Sequence, residues 1–148
     1  AELATDVPRL LEWLAGHKPG FLLIGRRHLR SNNSWMHNIP ALVKGSNTCT
    51  LHINPADAAK LAITTGQHIR LVSRTGSIEV PVEETDKIMP GVVSLPHGWG
   101  HDSPGTRMSV ASATTGVNAN AVTDESVIDV PSGNAVFNGV PVRLEPVG

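Results

Sequence analysis

LHINPADAAKLAITTGQHIRLVSRTGSIEVPV, residues 51–82, holds three extended segments interrupted by one short helix. NTCTLHIN gives a strand, and a short helix follows it. Pro55 suits a first helical position, and the Asn54 side chain is placed to cap it, so NPADAAKLA reads as a helix. ITTGQHIRLVS gives a turn and a strand. Gly76 then breaks the chain before SIEVPVE, where Ile78, Val80 and Val82 alternate onto one face. The strand–helix–strand unit across residues 48–72 argues against a simple up-and-down barrel.

Upstream, VPRLLEWL places Val7, Leu10, Leu11 and Leu14 on one helical face. Asp6 is the expected N-cap, with Pro8 in the first turn and Gly16 at the end. FLLIG, from Phe21, reads as a buried strand. Downstream, GVVSL and GVPVRLEP supply further strands. A short turn or helix is expected near TDESVI, and residues 102–121 are small and polar. Some six short strands, two small helices and many Gly and Pro turns predict a mainly β domain, a barrel with helical embellishments.

The 148 residues suit one domain, with a lead-in helix in residues 1–19 and a barrel in 20–146. A net charge of −1 provides no field for nucleic acid. No apolar run approaches the length of a membrane helix, and no signal peptide opens the chain, so a cytoplasmic setting is expected. The start at AELATDVP, without Met, suggests a segment of a longer polypeptide. Cys49 is the only cysteine, which excludes an internal disulfide and a Cys-only metal centre. It is expected to be a buried small hydrophobe.

Polar chemistry concentrates in three stretches. GRRHLRSNNSWMHN, residues 25–38, carries Arg26, Arg27 and Arg30, three of the eight arginines. Guanidinium groups form paired, charge-assisted hydrogen bonds to phosphate oxygens. Asn32, Asn33 and Asn38 offer a donor beside an acceptor, which suits the edge of a nitrogen heterocycle. Read as residue types, the same loop is equally a solvated turn with Trp35 packed on the core. In HGWGH, His97 and His101 have the spacing of a helical metal pair. Gly98 and Gly100 argue against a helix there, and no third ligand is marked out. These glycines fit backbone brought close to a ligand, with a core-filling Trp99 as the alternative. In NANAVTDE, Asn118 and Asn120 would point to one side of an extended segment. Nucleophile-elbow, P-loop and GxGxxG patterns are all absent, so the chain is not expected to be catalytic by itself.

The order of these segments resembles the C-terminal molybdopterin-dinucleotide-binding domain of molybdenum and tungsten oxidoreductases, the dimethyl-sulfoxide-reductase type that includes formate dehydrogenases and nitrate reductases. The resemblance rests on the strand and Arg-rich loop ending in NSW (33–35), LHINPADAAKLAITTGQHIRLVSRTGSIEVPV, PGVVSLPHGWGH, NANAVTD and PSGNAVFNGVPVRLEP. It covers residues 20–146. Ala62 stands where the family often has Gly, Gln67-His68 replaces an Asp-containing pair, and Asp129-Val130-Pro131-Ser132-Gly133 replaces Asp-Pro-Ser-Gly.

The resemblance implies a six-stranded double-psi β-barrel that binds molybdopterin guanine dinucleotide. The metal would be carried mainly by the remaining domains of the parent oxidoreductase. Carried over by position, Arg27, Arg30, Asn33, Ser34 and Trp35 form a first contact loop, His97, Gly98 and Trp99 a second, and Asn118 and Asn120 a third. His28, His37 and His101 are further candidates. A different class, a double-psi barrel adaptor for protein or peptide partners, predicts an exposed apolar groove and no anion site. A self-processing decarboxylase of the same barrel type lacks its Gly-Ser context here.

Overall fold

The computed structural model describes residues 2–16, 20–114 and 116–147. In chain order the elements are α1 (Glu2–Gly16), β1 (Phe21–Arg26), α2 (Pro40–Val43), β2 (Leu51–Ile53), α3 (Pro55–Leu61), β3 (His68–Val72), β4 (Ser77–Glu84), β5 (Val92–Pro96), α4 (Ser109–Ser112) and β6 (Val140–Pro146). Two 3-10 turns, Asn32–Ser34 and Ala119–Val122, lie between them. The strands close into a barrel in the order β1-β5-β2-β4-β3-β6. Two neighbouring pairs, β1 with β5 and β2 with β4, are parallel and need crossing connections; the rest are antiparallel. This is the mainly β, six-stranded barrel with short helices expected from the sequence.

Alternation fills the interior. Ile69 and Leu71 from β3, Val80 and Val82 from β4, and Val140, Val142 and Leu144 from β6 point inward. Leu51, Ile53, Val93 and Leu95 meet them there. With only two phenylalanines and no tyrosine in the chain, the core is built of branched aliphatic side chains. Cys49 is fully buried, as expected, and burial pushes its thiol pKa up.

The helix inside residues 51–82 forms as its sequence dictates. The Asn54 side-chain oxygen accepts from the Ala56 N–H at 2.9 Å, and its amide donates to the Ile88 carbonyl at 2.7 Å. Asp57 is buried and accepts from the Gly91 N–H at 2.6 Å and from the Lys60 ammonium at 2.9 Å. Burial alone would raise its pKa, but these two donors outweigh it and hold the carboxyl below its ordinary value. At Ala62 the helix ends in a left-handed conformation, φ 54° and ψ 40°, which Gly would adopt without the Cβ penalty. Gln67 takes over a capping role, its side-chain oxygen accepting from the Thr64 N–H at 2.7 Å.

Some expectations are corrected. α1 begins at Glu2, so Asp6 is an interior residue that pairs with Arg9 at 2.5 Å rather than an N-cap, and Pro8 lies inside the helix. The apolar face of α1 is not covered: Val7, Leu10, Leu11 and Leu14 are all exposed. β2 is confined to three residues, shorter than NTCTLHIN suggests. The short turn or helix expected near TDESVI is a turn at Glu125–Ser126, closed by the Val127 N–H donating to the Asp124 carbonyl at 3.2 Å, and a 3-10 turn, Ala119–Val122, precedes it. Part of the expected lead-in, residues 1 and 17–19, lies outside the described residues. No helix among the described residues is long and apolar enough to cross a membrane.

Candidate functional site

Parallel pairing of β1 and β5 sets the site. Their registers end together, Gly25 beside Leu95 and Arg26 beside Pro96, so the arginine loop and HGWGH leave the barrel at one rim. The His97 N–H donates to the Arg26 carbonyl at 3.1 Å and carries this pairing one step further. The connection into β6 enters at the same rim, where the Asn138 side-chain oxygen accepts from the Gly25 N–H at 2.7 Å.

HGWGH is wedged between the other two loops. A Cβ on Gly98 would lie 2.8 Å from both the Asn33 carbonyl carbon and the Ser34 nitrogen. One on Gly100 would lie 2.5 Å from the Asn118 nitrogen. Both glycines also have positive φ, 86° and 85°, so any side chain would be strained as well as crowded. Gly25 makes room for the His97 ring, whose Nε2 would lie 2.0 Å from an added Cβ. The turn that meets Gly98 is itself strained: Asn32, Asn33 and Ser34 have φ of 42°, 57° and 94° in succession. Non-glycine residues held this way cost about 1–3 kcal/mol each and cluster at functional sites.

The result is a cavity of about 550 Å³ on the rim. It gathers Arg27, Asn33, Ser34, His97, Gly98, Trp99, Asn118 and Asn120, with Gly25, Gly100, His101, Phe137 and Asn138 completing the wall. Among the described residues, no acidic side chain lines it. Arg27 donates to the Asn33 side-chain oxygen. Burial, reinforced by the Arg27 charge, pushes the His97 pKa down, so its imidazole is neutral at pH 7. A cation, several amides and the neutral His97 imidazole on one concave surface provide the donors for an anion and the paired edges for a heterocycle.

Two of the ten expected residues lie elsewhere. Arg30 lines a second, smaller cavity, and Trp35 is 84% exposed and lines neither. Asn118 and Asn120 do share the cavity, but through a 3-10 turn rather than an extended segment. Asn118 caps that turn, accepting from the Asn120 N–H at 3.0 Å, while Ala119 and Val122 anchor it in the core. Two polar residues of the arginine loop have structural tasks. Arg26 turns back over the barrel end and donates to the Ser94 and Thr50 carbonyls, each at 2.9 Å. The Asn38 side chain accepts from the Val110 N–H at 2.9 Å and the Ala111 N–H at 3.2 Å, ordering α4. Sequence reasoning misses Phe137 and Asn138 as site residues, because PSGNAVFNGV carries only a family pattern and no chemistry that points to this rim.

Between the cavities lies a buried cluster. The His101 Nε2 is 2.7 Å from the Gly98 carbonyl and 3.4 Å from the His37 Nδ1. A carbonyl only accepts, so His101 carries its proton on Nε2. The His37 ring packs against Trp99 with centroids 4.1 Å apart. Burial and the neighbouring His101 push the His37 pKa down, which keeps it neutral.

The sequence profile described as "Molydopterin dinucleotide binding domain" matches residues 21–141. A tetrathionate reductase chain of Salmonella typhimurium is 27% identical over 128 residues, covering 74% of this chain and 12% of that protein. The arsenate respiratory reductase molybdopterin-containing subunit of Chrysiogenes arsenatis is 28% identical over 129 residues, covering 81% of this chain and 15% of that one. Among solved structures, acetylene hydratase from Pelobacter acetylenicus superimposes with a TM-score of 0.72 at 17% identity, covering 97% of this chain and 20% of that one. The chain thus spans a small fraction of the proteins it matches. With a profile match that runs from the first strand into the last, the chain belongs to the molydopterin dinucleotide binding domain family.

Proposed function

We propose that this chain is the C-terminal cofactor-binding domain of a larger molybdenum or tungsten oxidoreductase, and that the first cavity seats part of a molybdopterin guanine dinucleotide. The carrying observation is convergence: Arg27, Asn33, His97, Asn118 and Asn120 come from three distant stretches to one acid-free surface. Their chemistry fits the group. Arg27 suits a phosphate oxygen, and the amides and imidazoles suit the edges of the pterin. The bound group supplies the two-electron chemistry at its metal; this chain binds it, orients it and shields one side from water. The remaining domains of the parent are its partners. An adaptor reading needs an apolar groove, whereas this cavity is lined mainly by amides, imidazoles and glycines.

The test is cofactor retention in the intact parent. Arg27→Gln combined with Asn120→Ala is expected to lower bound pterin and metal together several-fold, measured by pterin fluorescence after oxidation and by elemental analysis. Full occupancy in that double variant would contradict the placement.

A further inference from the structure

The second cavity, about 260 Å³, opens beneath the arginine loop on the far side of Trp99, which lines both cavities. Its lining includes Arg30, Lys44, His37, Ser46 and Thr48, and no acidic residue among those described. Among the described residues neither Arg30 nor Lys44 forms an ion pair. His37 is 1% exposed and lines this cavity but not the first. Its Nε2 and the Trp99 Nε1 are buried without a partner. The indole N–H is a donor by its chemistry, and the imidazole Nε2 becomes one in the tautomer that an arriving acceptor selects. A buried donor left unmatched costs about 1–3 kcal/mol, which an arriving acceptor would recover.

We propose that this cavity is a second binding site, taking a phosphate-type oxyanion between Arg30 and Lys44 with its inner oxygens towards His37 and Trp99. The two exposed cations supply charge at the mouth, the Ser46 and Thr48 hydroxyls add neutral donors, the buried indole supplies a fixed one, and the imidazole adds another in its Nε2-protonated tautomer. A ligand of acceptors only matches a lining whose unmatched groups can all donate. A ligand that itself donates, such as an ammonium, would meet two positive charges and the indole N–H. The site also accounts for Arg30, which the first cavity leaves unused. This inference stands apart from the reading of the first cavity, because the two share only Trp99.

The experiment is a titration of the isotope-labelled 148-residue chain with inorganic phosphate at pH 7 and constant ionic strength, followed by nuclear magnetic resonance. The Trp99 indole N–H and the Lys44 amide are expected to shift saturably and together. Arg30→Gln with Lys44→Gln should weaken that response at least tenfold. Both side chains are exposed, so the fold is retained; Arg107→Gln with Arg143→Gln removes the same charge elsewhere and should leave the response unchanged. Guanosine diphosphate in a parallel arm identifies the source of the oxyanion. A tighter response than phosphate assigns it to a nucleotide, an equal or weaker one to the free ion. Shifts that rise linearly without saturation, or equal loss in the charge-matched control, would overturn the site. Signals from Arg27 and Asn33 report the first cavity separately.

Discussion

Arg26 and Arg27 are adjacent and chemically identical, yet they have opposite tasks. At the end of β1 successive side chains leave on opposite sides. Arg26 goes over the barrel end to the Ser94 and Thr50 carbonyls, where burial pushes its pKa down, whereas Arg27 goes to the cavity. Replacing Arg26 by Met strands two carbonyls and should destabilise the fold by about 1–3 kcal/mol. Arg27→Gln should change stability by less than about 0.5 kcal/mol, as expected for an exposed position. Chemical denaturation of the two variants side by side checks the contrast. The sequence shows three clustered arginines but not their division of labour. Which one faces inward depends on where β1 ends against β5, a tertiary fact. Asn38 and Asn138 teach the same lesson, since both find backbone partners far along the chain, at Val110 and at Gly25. Asn54 could be read directly, because its partner at Ala56 is only two residues away.

α3 shows how an element's punctuation becomes stability. Its start is well capped, but its end forces Ala62 to φ 54°. A left-handed L-residue costs roughly 1–2 kcal/mol, while Gly at that point adds roughly 0.5–1 kcal/mol of unfolded-state entropy to be lost. The strain is the larger of the two, so Ala62→Gly should stabilise the chain by about 0.5–1 kcal/mol, visible as a higher denaturation midpoint at unchanged slope. The same reasoning limits what patterning can reveal elsewhere. Alternation in SIEVPVE identifies β4 because one face is buried. The strained Asn32–Ser34 turn has no period to betray it, and it exists because Gly98 packs against it.

At the scale of the molecule, the apolar face of α1 stands outside the barrel core. The core cluster draws on β1 to β6, α3 and the Ala119–Val122 turn, and among the described residues no apolar side chain of α1 belongs to it. Deleting residues 1–19 should therefore leave the barrel's melting temperature within about 2 °C, checked by calorimetry; the loss of a core element of about 1 kcal/mol or more would move it by about 2–8 °C. The sequence locates a helical apolar stripe there but does not say whether anything covers it, because amphipathicity states only that a face wants burial.

The side-by-side ends of β1 and β5 also bear on how such cradles can be transplanted. Since the hydrogen-bond ladder between two neighbouring strands fixes where both loops emerge, residues 26–38 and 97–101 form a cassette. Grafted together onto another barrel of matching stagger they would keep their mutual spacing; grafted singly, either would arrive without the backbone it leans on.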